Sequence, residues 1–261
     1  MSVWSSWQAA WARRRDEAAV RRRPIPDLLW RRTLKRFAFL PRGDADEQAL
    51  RRLCSLFLDR KEFTGAHGLV VTDDMAVAIA AQACLPVLRL GLEAYDGFLG
   101  IVVHPGQARV QRAVADEDGI VHEYEEVLSG EAVEGGPVML SWRDVRGSGA
   151  TAADGYNVVI HEFAHVLDMA DGLTDGVPAL PAHLDRAAWQ ATLEDAQARL
   201  EQALQDERPT ALDPYAAQGP QELFAVASEA FFVCPAELQR EQPDLYRMLA
   251  AYYRQDPATR G

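Results

Sequence analysis

Cysteine is scarce, three residues in 261, and Cys54, Cys84 and Cys234 lie far apart in apolar stretches. Such a set excludes the disulfide framework of a small secreted scaffold and suits reduced core thiols in a cytoplasmic protein. A membrane-spanning run is lacking as well. The most apolar stretch, Met75 to Leu92, is broken by Gln82, Pro86 and Arg89 and is rich in alanine, so it reads as a buried soluble helix. No signal peptide is expected, since Arg13-Arg14-Arg15-Asp16-Glu17 interrupts the start before an apolar core can form. Positive charge is in deficit: 27 Lys and Arg against 39 Asp and Glu leave a net −12, which argues against direct nucleic-acid binding by the whole molecule. Internal repeats and low-complexity linkers are absent too.

The basic residues that are present are concentrated. Arg13-Arg14-Arg15, Arg21-Arg22-Arg23, Arg31-Arg32 and Lys35-Arg36 make the first part of the chain basic. They read as a solvated helical face, or as a docking surface for an acidic partner or for another part of the same chain.

Hydrophobic spacing predicts two or three helices over residues 1–60, interrupted at Pro24-Ile25-Pro26 and at Pro41-Arg42-Gly43-Asp44, with Asp44 or Asp46 as a cap. Leu69-Val70-Val71 reads as a short strand, and Thr72-Asp73-Asp74 as the N-cap of a helix from Met75 to about Leu85. From Phe98 to Val145 the period changes to that of strands. Phe98–His104, Ala108–Val114, Ile120–Leu128 and Val138–Trp142 predict a sheet of about four strands, with Asp118-Gly119 as a hairpin turn. Helices are expected again from about Asp185 to Asp206, Gln221 to Val233 and Leu245 to Arg254. The whole reads as an α+β fold, mainly helical, with a small mixed sheet. Residues 1–60 are expected as a basic helical region packed on a domain spanning 61–261.

The stretch that carries chemistry is Asn157-Val158-Val159-Ile160-His161-Glu162-Phe163-Ala164-His165-Val166-Leu167-Asp168. It places His-Glu-x-x-His on an apolar helix without Gly or Pro. One helical turn stacks His161 over His165, near enough to share one metal ion, while Glu162 sits about 100° round the helix, placed to hold a water. Two imidazoles and a spare carboxylate suit zinc with an open position. A third ligand is needed. The pattern with a later histidine fails, because Asp171 and Asp168 stand where it requires His and Gly, and His183 has no spacing to recommend it. His104 and His122 read as structural or exposed. Glu222 and Glu229 are stronger candidates. They share one helix face about 10 Å apart, so both cannot bind one ion, and spacing alone does not choose between them.

With Tyr215 and Glu222-Leu223-Phe224-Ala225 downstream of the histidines, the chain resembles the gluzincin peptidases of the Mlc titration factor A family. That family is itself similar at its active site to the catalytic domain of anthrax lethal factor. The likeness extends through Ala80–Pro86, Gly136–Trp142, Phe224–Phe232 and Tyr252–Pro257, covering most of the chain from about residue 50. The resemblance implies a zincin-like peptidase domain holding one zinc ion. It implies His161, His165 and Glu222 as ligands, Glu162 as general base and Tyr215 as a catalytic donor. Glu229 and Asp168 then become candidates to accept an imidazole N–H. Peptides are the implied substrates, as of an aminopeptidase or an endopeptidase. A transcriptional repressor of the Mlc type is an implied partner, through which sugar uptake would be regulated, and the rival expectation is a non-catalytic protein that sequesters that repressor.

Overall fold

The computed structural model describes residues 3–259 apart from 44, 107, 116–120, 129, 133–134 and 149–154. Helices α1 (Val3–Arg22) and α2 (Asp27–Arg36) are separated at Pro24 and Pro26, where proline cannot donate to a continuing helix. Helix α3 (Ala45–Arg60) follows, with Asp46 inside its first turn and not at its cap; Asp44 lies outside the described residues. Ala19, Ile25, Trp30, Leu34 and Phe37 are buried in the same core as Leu50 of α3. Part of the early basic charge meets acids of this chain, as in Arg22–Asp59, 2.6 Å, and Arg36–Asp74, 3.2 Å, while Arg51 of α3 pairs with Asp27 of α2 at 2.6 Å. These pairs are partly exposed, so solvent screening leaves each of them a small contribution to stability.

Strand β1 is Glu62–Gly65, not Leu69-Val70-Val71. Three apolar residues carry too little periodicity to choose a strand. Parallel pairing with β2 (Gly100–His104) selects Glu62–Gly65, while Leu69 turns back to donate its N–H to the Ala66 carbonyl. Thr72 caps α4 (Asp73–Cys84) as expected, its hydroxyl accepting the Met75 N–H.

Next come β3 (Ala108–Ala115), β4 (Val121–Leu128), β5 (Gly130–Ala132) and β6 (Val138–Ser141). The sheet runs β1-β2-β6-β5, with β1, β2 and β6 parallel and β5 antiparallel at one edge. Among the described residues, strands β3 and β4 pair only with each other, and their expected turn, Asp118-Gly119, lies outside the described residues. Two of the four expected strands thus leave the sheet, and β1 and β5 take their places. Alternation identifies a strand but not its partner, and parallel neighbours are joined only by long crossovers. Trp142 opens α5 (Trp142–Gly147) instead of ending a strand, because the Ser141 hydroxyl caps the Asp144 N–H.

The remaining helices are α6 (Val158–Asp168), α7 (Arg186–Gln205), α8 (Pro220–Val233), α9 (Pro235–Glu241) and α10 (Pro243–Tyr253). Pro235 does not merely end α8; it starts α9, since a first-turn proline gives up no needed donor. Helix α6 lies at the centre, packed against α4, α8, β5 and β6. Phe163 packs behind it against Tyr95, Phe98 and Phe57, with ring centroids 4.9, 5.4 and 5.8 Å away. Every α6 residue is buried except His161 and His165, which are partly open. All three cysteines are buried and free. Among the described residues, no helix is long and apolar enough to cross a membrane.

Candidate metal centre

The site begins where α6 begins. Asn157 caps the helix by accepting the Ile160 N–H at 3.0 Å, and its amide donates to Gln82 of α4 at 2.8 Å. Its own backbone N–H donates to the Glu229 carboxylate of α8. One residue therefore ties the first turn of α6 to both flanking helices.

One turn further on, His161 and His165 bring their Nε2 atoms to 3.2 Å. Glu222, in the first turn of α8, sets its Oε2 3.3 Å from His161 Nε2 and 3.4 Å from His165 Nε2. The three atoms form a nearly equilateral triangle. A tetrahedral ion with bonds of about 2.0–2.1 Å spaces its donors by about 3.3 Å, so the triangle fits a small divalent cation. Glu222 Oε2 is buried and has no hydrogen-bond partner, a costly state for a carboxylate unless a positive charge faces it. Among the described residues, His161, His165 and Glu222 are the group of three that could hold a metal ion.

Burial opposes charge on Glu222, yet the two histidines outweigh it and hold the carboxyl at about 2. Desolvation lowers the His161 pKa, but Glu229 and Glu222 together raise it well above the ordinary value. Glu229 is two turns along α8 from Glu222. Its Oε1 accepts the Nδ1–H of His161 at 2.7 Å, leaving Nε2 to face the triangle. Burial raises the Glu229 pKa, and His161 offsets this only in part.

Glu162 is outside the triangle, on the side of α6 that meets β5. Burial raises its pKa against the pull of His161 and His165. Tyr215 stands on a 3-10 turn, Pro214–Gln218, directly before α8, with its N–H capped by Asp213 at 2.8 Å. Its ring centroid is 6.0 Å from that of His161, and the residue is 43% exposed.

The chain matches the family described as glucose-regulated metallo-peptidase M90 over residues 9–254. It belongs to that family. Among similar proteins is Mlc titration factor A of Pectobacterium atrosepticum, 38% identical over 88% of this chain and 87% of its own. The Mlc titration factor A proteins of Serratia proteamaculans (38%, 84% of each chain) and Yersinia enterocolitica (36%, 88% of this chain and 86% of its own) are similar too. A metallopeptidase family calls for a metal, and the triangle offers a place for one.

For this M90 member the sequence expectation brought His161, His165, Glu222, Glu162, Glu229 and Tyr215 together, and all six lie at one place. Asp168 is the exception. It is buried at the end of α6, and its Oδ2 accepts the Gly176 N–H at 3.1 Å, while Oδ1 has no partner, so it bonds to neither imidazole. Its position one turn past His165 shows it a loop, not a ring. Sequence reasoning missed Asn157 and Gln82 as members of the site. An Asn ahead of an apolar helical run is a cap signature, so Asn157 had a readable signal; Gln82, 75 positions away, had none.

Proposed function

We propose that the chain is a zinc-dependent peptidase, with His161, His165 and Glu222 holding one ion and Glu162 acting as general base. The observation that carries the reading is the triangle of donor atoms with a buried carboxylate beside it on α6. Zinc, when bound, supplies a Lewis acid that polarises a peptide carbonyl and acidifies a water. Glu162 takes a proton from that water and later delivers it to the departing amine. Burial raises its pKa above that of an ordinary carboxylate, which favours its taking up a proton. Glu229 fixes the His161 tautomer, and the Tyr215 phenol donates to the oxyanion that develops on the carbonyl. Strand β5, at the sheet edge beside α6, aligns an extended peptide.

Metal analysis of purified protein, with short peptides bearing free or blocked N-termini, tests this reading. About one zinc per chain is expected, with hydrolysis lost to a chelator and regained with zinc; the blocked peptides separate aminopeptidase from endopeptidase action. Hydrolysis undiminished after metal stripping would sink it.

The name of the relatives, Mlc titration factor A, supports a second role: this chain binds a repressor of the Mlc type. A Glu162→Gln protein that still captures the repressor would separate binding from chemistry. Failure of the unaltered chain to capture it would remove the role.

A further inference from the structure

Gly130 opens β5 opposite Leu140 of β6, and it lies against the side chain of Glu162. A Cβ built on Gly130 would stand 2.6 Å from Glu162 Cγ and 2.7 Å from Cδ, and it would also overlap Oε1. Non-bonded carbons settle at about 3.5–4.0 Å, so even one methyl group cannot share this space with the carboxylate. Something would have to yield. Strand β5 is held by pairing to β6 at Gly130, Glu131 and Ala132, and the α6 backbone is embedded in the core. The Glu162 side chain turns about its own torsions at far less cost.

We propose that Gly130 is the positioning residue for Glu162: its missing side chain is the slot in which that carboxylate lies. The functional consequence rests on Glu162 being the general base. A base displaced by about 1 Å loses on the order of 100-fold in rate, because proton transfer depends steeply on reach.

The test compares Gly130→Ala, Glu162→Gln and a control, Gly97→Ala, where a Cβ would meet nothing within 4 Å. For Gly130→Ala, zinc content should match that of the parent, kcat should fall by about 100-fold and KM should stay within about twofold. Its crystal structure should show the Glu162 carboxylate displaced by about 1 Å with His161, His165 and Glu222 in place. Gly97→Ala should behave as the parent. If Glu162→Gln is dead while Gly130→Ala keeps its kcat, or if β5 has moved and Glu162 has not, the positioning role is wrong and the base stands. If Glu162→Gln is as active as the parent, the base is wrong whatever Gly130→Ala does.

Thermal midpoints of metal-free protein close a double-mutant cycle that does not depend on activity. Any destabilisation by Gly130→Ala should vanish in the Glu162→Ala background. An equal loss in both backgrounds would assign the glycine to the strand itself and overturn the proposal.

Discussion

His161 shows most directly how single residues divide the work of the centre. Its Nε2 belongs to the triangle and its Nδ1–H is held by Glu229, so one ring joins two carboxylates two turns apart on α8. Glu229 accepts from His161 with Oε1 and from the Asn157 N–H with Oε2. An amide cannot accept at both positions. Glu229→Gln should therefore weaken zinc affinity by about 10- to 100-fold, measured by competition with a chromophoric chelator. An unchanged affinity would mean that the ring is oriented by something else. Glu162 touches no donor atom of the triangle, so Glu162→Gln should keep zinc while losing about 10²- to 10⁴-fold in kcat. At this scale much was legible. Helical spacing aligned the two histidines, and the seven-residue interval put Glu222 and Glu229 on one face. What spacing could not tell was which carboxylate meets which nitrogen, because that depends on how far α8 is slid along α6.

At the scale of elements, the relation between α6 and α8 is held at both ends. Asn157 and Glu229 join them at one end. At the other, Asp168 accepts the Gly176 N–H, and the Gly176 carbonyl accepts the Trp189 indole N–H of α7 at 2.9 Å. Gly176 has φ +76°, and a Cβ there would overlap the Pro220 carbonyl that starts α8, 2.6 Å from its carbon. Gly176→Ala therefore combines left-handed strain with a backbone clash and should cost about 2–4 kcal/mol in chemical denaturation. A loss below about 0.5 kcal/mol would mean that the loop moves aside without effect. The sequence marked most helices to within a few residues, because periodicity and caps act over one or two turns. It placed β1 wrongly and put β3 and β4 in the main sheet, because strand partners are chosen across long loops.

For the whole molecule, the centre links two helices that are more than fifty residues apart in sequence. An ion that binds the folded chain alone adds about 2.7 kcal/mol at 100 times its dissociation constant. Zinc should then raise the thermal midpoint by roughly 5–10 °C at that concentration, at about 2–4 °C per kcal/mol. A midpoint indifferent to zinc would contradict folded-state binding. The pH dependence of metal-free protein has a definite sign. Burial pushes the Asp168 carboxyl up to about 6, against an ordinary 3.8. The folded state thus binds this proton more tightly than the unfolded one. That stability is fully present below the ordinary value and is lost as pH rises through about 6. Asp168→Asn keeps an oxygen for Gly176 but cannot ionise, so its denaturation free energy should lose this slope between pH 4 and pH 6. The same slope in the variant would place its origin elsewhere. By itself the sequence determined most of the helices, α5 and α9 excepted, the buried face of α6 and the residue types able to hold a metal, since these follow from local periodicity and donor chemistry. Between Glu222 and Glu229 spacing left a tie that the resemblance broke, and the tertiary structure alone decided that Asp168 holds a loop and that Gly130 borders Glu162. Both follow from how helices, strands and loops pack, which periodicity along the chain does not encode.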